Sequence, residues 1–258
     1  MHGLLKTIVD RIIEEEGSLF RDFDAALFPL EKRHSPIDVL TQGEKDFLVI
    51  AEVKKGSPSR GLIRKDFCPA SVAQAYEEGG ASAISVVTEK NFFFGDKDCL
   101  RQIKKAVRLP VLRKDFIVHE YQIYESYNLG ADFVLLISAC LSRDELRHLH
   151  RAAESLGMRA LVEIHDEKEL EKALEAGSRL VGINNRDLET LDVDWTRSLR
   201  LRPRVPDGIQ VISESGLSSH HQIKALQDAG FSGVLVGEHL MRQDDHRQAV
   251  RDLIHGQG

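Results

Sequence analysis

A (β/α)8 barrel of the α/β class, with an N-terminal helical extension, is the fold the sequence predicts, and three observations predict it. One phrase — helix, glycine, short turn, apolar β-branched run — recurs as EEGGASAISVV, NLGADFVLLI, SLGMRALVEI, EAGSRLVGI and DAGFSGVLVG. Strands starting at Val49, Ala83, Val111, Phe133, Ala160, Leu180, Gln210 and Gly233 lie 20 to 34 residues apart, a spacing for strand–helix units and not for hairpins. The chain has 258 residues, 42% of them hydrophobic, enough for a large core within the length that such barrels fill as one domain. An open doubly wound sheet is the alternative, and it needs a reversal of strand order that no sequence displays.

Residues 1–46 form the extension and residues 47–258 the barrel. Leu4, Leu5, Ile8, Ile12 and Ile13 recur at helical spacing, with Gly17 as a stop. A second apolar group runs from Phe20 to Leu30, and Pro36-Ile37-Asp38-Val39-Leu40 leads into the polar TQGEKD. This pattern predicts two or three helices packed on the main domain. In each later repeat the glycine is the left-handed residue that closes a helix. The run after it is a parallel strand, apolar on both faces. Ser142 with Glu145 and Ser219 with Gln222 have the spacing of capping boxes. Leu146, Leu149, Ala153 and Leu156 make an apolar helical stripe, as do Leu170, Ala173 and Leu174.

The charge balance excludes several functions. Asp and Glu number 41 against 35 Lys and Arg, which disfavours nucleic acid or an anionic membrane as partner. No apolar run approaches the roughly 18 residues of a membrane span. The N-terminal stretch is amphipathic and acidic, unlike a signal or transit peptide. Cys68, Cys99 and Cys140 are widely spaced and odd in number, which fits a reducing cytoplasmic setting better than a disulfide frame or a zinc site.

Barrel enzymes react at the C-terminal ends of their strands. The first strand ends with Glu52 and Lys54, two apart and on one face. The third carries Lys114, the fifth Glu163, and the sixth ends with Asn184. The seventh ends with Glu214 and Ser215, and the eighth with Gly237. A charge inside an apolar strand is costly unless paired or used. Four strands carrying Lys or Glu near one end point to chemistry; the plainer reading is a buried ion network that fixes strand register. GSPSRG after the first strand, Ser215-Gly216 and Gly237-Glu238 suggest backbone amides arranged around a phosphate. His148 and His150 point to different helix faces, and His220-His221 lie in a helical first turn. His165, coming after Glu163, is expected to face away from it. No spacing suits a metal site, and no GxGxxG follows the first strand.

AEVKKGSPSRG, LRKDFI, ALVEIH, GINNRDL, VISESGL and LVGEHLM stand in order at barrel spacing. With these six motifs the chain closely resembles the indole-3-glycerol-phosphate synthase family from Phe47 onward, and its extension resembles that family's. The resemblance implies a TIM barrel and a tryptophan-biosynthesis lyase acting on 1-(2-carboxyphenylamino)-1-deoxyribulose 5-phosphate. No cofactor or metal is implied. Lys114 is the implied acid at the ketone oxygen and Glu163 the acid/base of dehydration. Lys54, with Glu52 beside it, engages the substrate carboxylate or serves as a second acid. Asn184, Glu214 and Ser215 orient the anilino and hydroxyl groups. Ser57, Gly216, Gly237 and the amide of Glu238 hold phosphate. Phe93, Phe116, Leu135, Arg186 and Leu188 shape the aromatic pocket. The implied partner is a small phosphorylated molecule, and the implied state a monomer or weak homodimer. Two other functions fit the same Lys/Glu set. One is a Schiff-base aldolase, which borohydride trapping would reveal; the other is a phosphosugar binder, which has little need of acid and base together.

Overall fold

Eight apolar runs become eight parallel strands in the computed structural model, which describes residues 3–30, 47–64, 67–187 and 190–256. They are β1 (Leu48–Val53), β2 (Ala83–Val87), β3 (Val111–Lys114), β4 (Phe133–Ile137), β5 (Arg159–Ile164), β6 (Leu180–Asn184), β7 (Gln210–Glu214) and β8 (Gly233–Val236). Each pairs with its neighbours in sequence, and β1 pairs with both β2 and β8, so the sheet closes on itself. The chain is a (β/α)8 barrel. The strand starts agree with the sequence reading to within one residue.

The helices are α1 (Gly3–Arg21), α2 (Pro69–Gly79), α3 (Lys97–Ala106), α4 (Glu120–Leu129), α5 (Arg143–Ser155), α6 (Glu167–Glu175), α7 (Thr196–Leu201), α8 (His220–Asp228), α9 (Glu238–Arg242) and α10 (His246–His255). Gly80, at φ 99°, ends α2 and gives its amide to the carbonyls of Glu77 and Tyr76. Gly130, at φ 95°, ends α4 in the same way. Both expected capping boxes form, at Ser142/Glu145 and at Ser219/Gln222.

Side-chain alternation splits the sheet into two cores. Ile50, Leu112, Leu135, Leu161, Ile212 and Leu235 point inward and fill the barrel. Val49, Ala51, Val134, Val162, Val181 and Val211 point outward against the helices. The inner set has no helix beneath it, so the barrel is plugged by its own side chains.

The extension departs from expectation in two respects. Gly17 does not stop α1, which continues to Arg21. A glycine inside a helix costs about 1 kcal/mol relative to alanine. That cost is offset on both sides of it: Glu16 pairs with Lys97 at 2.7 Å, and the Phe20 ring stacks on His119 at 4.5 Å. Residues 22–30 form turns and no second helix, with Phe23 and Phe28 meeting Tyr121 and Tyr124 edge-on. The Pro36–Leu40 stretch lies outside the described residues. Leu5, Ile8 and Ile12 are buried in the inner core, so α1 lies across the mouth of the barrel.

Candidate active site

A cavity of about 770 Å³ opens at the C-terminal ends of the strands. Inward-facing positions one layer above the apolar plug supply its floor: Glu52, Lys114, Glu163, Asn184 and Glu214. Phe93, Phe116 and Leu135 make one wall, and Leu4, Leu5 and Ile8 of α1 part of the roof. Lys54, Ser57, Arg186, Ser215, Gly216, Gly237 and Glu238 complete the expected set around it. Leu188 lies outside the described residues. The sequence reading thus converges on one space, and the open question is how its members are paired.

Lys54 Nζ lies 2.7 Å from Glu52 Oε1. Lys114 Nζ sits between Glu163 Oε2, at 3.3 Å, and Glu214 Oε2, at 3.6 Å. Asn184 Nδ2 donates to the other oxygen of Glu163 at 3.0 Å. A lysine near a second lysine is easier to deprotonate, but the carboxylates decide the outcome here. Burial pulls the Lys114 pKa down, and Glu163, Glu214 and Glu52 outweigh it, so the ammonium is held well above its ordinary range. Burial also works against the charges of Glu52 and Glu163. Lys54 and Lys114 overcome it at Glu52; Lys114, His165 and the Asn184 hydrogen bond overcome it at Glu163. Both are held as carboxylates.

Glu214 is different. Burial dominates, Glu163 and Glu52 repel it, and Lys114 does not compensate, so its pKa is pushed up to about 8. Of the three carboxyls Glu214 is thus the one pushed toward its protonated form, while Glu52 and Glu163 are pulled toward the carboxylate. Glu214 is 1% exposed, and neither of its oxygens has a hydrogen-bond partner among the described residues. A buried polar group left unpaired costs roughly 1–3 kcal/mol. Glu214 is among the residues that line the cavity, and both of its oxygens are buried beneath that lining.

Two glycines, one in β6 and one just after β8, make room for these carboxyls. A Cβ on Gly182 would lie 1.9 Å from Glu214 Oε1, and one on Gly237 2.2 Å from Glu52 Oε1. Gly237 thus protects the Glu52–Lys54 pair in addition to exposing backbone amide. After β7, Ser215 at φ 69° and Gly216 at φ 78° stand in succession in the left-handed region and turn the chain sharply at the cavity rim. Asn185, fully buried behind this turn, fixes it by donating to the Ser215 carbonyl at 3.0 Å. The Asn184–Asn185 pair is therefore divided between cavity and scaffold.

Several contacts around the cavity were not read from the sequence. Glu238 turns its carboxylate to Arg60, at 2.9 Å, and to Arg242, at 3.2 Å, leaving its amide at the rim. Glu89, 4% exposed, accepts from the amides of Asn91, Phe92 and Phe93 and so builds the loop that presents Phe93. Phe93 in turn meets Phe116 at 6.0 Å. Arg186 is steadied by the Leu191 carbonyl at 2.8 Å. His165 does not face away from Glu163: its Nε2 lies 3.6 Å from Glu163 Oε1. The spacing of two that aligned Glu52 with Lys54 was the available signal. Among the described residues no group of three His, Cys, Asp or Glu side chains is arranged to hold a metal ion.

Comparison with known proteins agrees with this geometry. The profile of the indole-3-glycerol phosphate synthase family matches residues 6–253. The indole-3-glycerol phosphate synthase of Sulfurimonas denitrificans is 46% identical over 257 residues, covering 98% of this chain and 97% of the relative. That of Campylobacter curvus is 47% identical over 260 residues, covering 98% and 100%. Among solved structures, a 3-hexulose-6-phosphate synthase superimposes with a TM-score of 0.66 at 15% identity, over 81% of this chain and 99% of that one. Thiamine phosphate pyrophosphorylase from Pyrococcus furiosus superimposes with a TM-score of 0.59 at 15% identity, over 80% and 93%. At such identity these two structures bear on the fold alone.

Proposed function

The chain belongs to the indole-3-glycerol phosphate synthase family, and from that membership we propose how its residues divide the reaction. The activity is ring closure, decarboxylation and dehydration of 1-(2-carboxyphenylamino)-1-deoxyribulose 5-phosphate to indole-3-glycerol phosphate. It is a carboxy-lyase step of tryptophan biosynthesis.

Lys114 is the acid of the first half. Carbon–carbon bond formation places negative charge on the ketone oxygen, and a positioned proton donor there contributes roughly 10²–10⁴-fold. The observation that carries this role is the Lys114 ammonium held charged between Glu163 and Glu214. Once CO₂ has left and aromaticity is restored, the new hydroxyl departs as water, and Glu163 is the acid/base for that step. Lys54, braced by Glu52, engages the substrate carboxylate or acts as a second acid. Asn184, Ser215 and Glu214 orient the anilino nitrogen and the hydroxyls. Ser57, Gly216, Gly237 and the Glu238 amide hold phosphate at the far rim, with the Ser215–Gly216 turn as support for that placement. Phe93, Phe116, Leu135 and Arg186 enclose the aromatic ring, as does Leu188 by motif. Phosphate at one end and carboxylate at the other let binding energy press the reacting carbons together.

The test is indole fluorescence growing when the carboxyphenylamino substrate is added. No fluorescence, together with a borohydride-trapped adduct on Lys114 or Lys54 with a keto-sugar phosphate, would replace this reading with a Schiff-base aldolase.

A further inference from the structure

His165 occupies a place that the acid–base scheme above leaves unused. Its backbone amide donates to Glu169 Oε2 at 2.8 Å, and its Nδ1 lies 3.0 Å from the same oxygen. This double attachment fixes the ring and requires hydrogen on Nδ1, since a carboxylate only accepts. The other nitrogen, Nε2, is buried, has no hydrogen-bond partner among the described residues, and lies 3.6 Å from Glu163 Oε1. Carboxylate, imidazole and carboxylate thus form a line from α6 into the cavity. Glu169 at its outer end is 17% exposed, and Glu163 at its inner end 2%.

The stoichiometry gives this line a task. The substrate enters with an ionised carboxylate, and that group leaves as neutral CO₂ while the hydroxyl leaves as water. Each turnover therefore consumes one proton. Lys114 supplies a proton to the ketone oxygen, and Glu163 supplies one to the departing hydroxyl. The CH2 carbon beside the anilino nitrogen returns one as the indole double bond forms, so one must come from outside. Glu163 is ionised in the resting site and cannot donate until it is loaded.

We propose that His165, held by Glu169, is the positioning residue that loads Glu163 with the proton consumed in each turnover. The Nε2–H bond of the imidazolium breaks and an O–H bond forms at Glu163 Oε1. The electron pair stays on Nε2, leaving neutral imidazole with its Nδ1 hydrogen on Glu169, and water restores the imidazolium before the next turnover. The 3.6 Å gap has to shorten for transfer, as is common for catalytic contacts before substrate is bound. The inference rests on the acid/base role given to Glu163.

The surrounding groups favour the charged ring. Burial pushes the imidazole toward neutrality and Arg197 from α7 adds to that. The Glu169 hydrogen bond and the charges of Glu163 and Glu169 outweigh both, so the His165 pKa lies above its ordinary value. Cys140, near Glu163 and Glu169, is a neutral thiol pushed up to about 12, by burial first and then by those two carboxylates. Lys172 lies on the far side of Glu169 and binds the Leu141 carbonyl at 2.6 Å.

The test is the pH dependence of kcat in the full chain for the wild type, His165→Asn and Glu169→Gln. In the wild type, kcat should fall as pH rises through the His165 pKa. His165→Asn should lose about tenfold or more in kcat with KM within about twofold, and that basic limb should vanish. Glu169→Gln should move the limb to lower pH, because the carboxylate no longer favours the imidazolium. Variants that keep the wild-type limb overturn the proposal, as does a kcat lowered equally at every pH, which is the signature of a merely structural role. If His165→Asn does not fold, the shift in Glu169→Gln decides. A wild type that forms no indole-3-glycerol phosphate removes the assigned activity and the relay together; an active wild type with unmoved limbs in the variants removes the relay alone.

Discussion

Arg113 and Lys114 are adjacent in β3, and the alternation of a strand sends them to opposite sides of the barrel wall. Both are cations among carboxylates, yet their surroundings differ in kind. Arg113, 0% exposed, donates to Glu125 at 2.8 Å, Ser126 at 3.0 Å, Asp115 at 3.0 Å and Thr88 at 3.3 Å. Asp115 also accepts from the Thr88 hydroxyl at 2.6 Å and the Phe116 amide at 2.9 Å. Each of the three guanidinium nitrogens donates. Lys114 has one hydrogen-bonding carboxylate at 3.3 Å and another, Glu214, beyond that reach and otherwise unpartnered. The outer network is closed and holds strand to helix. The inner one is open and lies at the cavity floor. Completeness of hydrogen bonding, and not burial or charge, separates the structural set from the reactive one.

The largest effect is expected at Lys114. Lys114→Ala should lower kcat by about 10²–10⁴-fold, because the group acts in a transition state. Glu163→Gln should instead leave condensation and slow dehydration, so that quenched single-turnover samples accumulate the ring-closed intermediate. A Lys114→Ala enzyme with near-normal kcat would assign the acid to Lys54. Next comes Arg113→Met, which leaves Asp115 and Glu125 without their cation. Unfolding in urea should show a loss of about 3–5 kcal/mol, while kcat per folded molecule stays close to the wild type. An unchanged midpoint would mean that the closed network contributes no stability.

The third prediction concerns α1, which touches both sets: Glu16 reaches the outer one through Lys97, and Leu5 and Ile8 roof the inner cavity. Removing residues 1–46 should leave a folded barrel whose KM is raised about tenfold, since a fully buried aliphatic side chain is worth about 1.5–3 kcal/mol. Equal KM in the truncated protein would show that the roof does not bear on substrate. The smallest effect belongs to Glu214→Gln. Its carboxyl has a folded pKa of about 8, above its ordinary 4.5, so the folded state binds more protons in between. Stability then falls as pH rises across that window. The glutamine variant should lack this slope, so its stability relative to the wild type should rise from pH 5 to pH 8. Parallel slopes for the two proteins in denaturant titrations at pH 5, 6.5 and 8 would show that the carboxyl ionises freely when folded.

Much of this was legible in the sequence, for identifiable reasons. The strands could be read because each is apolar on both faces and follows a helix-closing glycine. Lys114, Glu163 and Glu214 could be read because a charge stands out in such a run. What escaped depended on contacts between distant segments. Gly17 reads as a stop until Lys97 and His119 arrive to hold the turns on both sides of it. The carboxylate of Glu238 is turned to Arg60 across the barrel rim, a pairing that no spacing announces. Asn184 and Asn185 look alike in the chain and are divided only by the barrel wall. His165 is the exception, since its two-residue offset from Glu163 was visible from the start.

The closure of β1 on β8 also bears on how the protein is made. Ribosomes add roughly 5–20 residues per second, so on the order of 10–40 s pass between the emergence of Leu48–Val53 and that of Gly233–Val236. For that interval one edge of β1 has no strand to pair with, and the apolar face of α1 waits for an inner core that includes Leu235. A nascent chain stalled before Gly233 carries an unpaired parallel edge and an uncovered amphipathic helix at once, the two features that recruit chaperones or promote aggregation. The last strand to leave the ribosome is thus the one that makes the first strand safe.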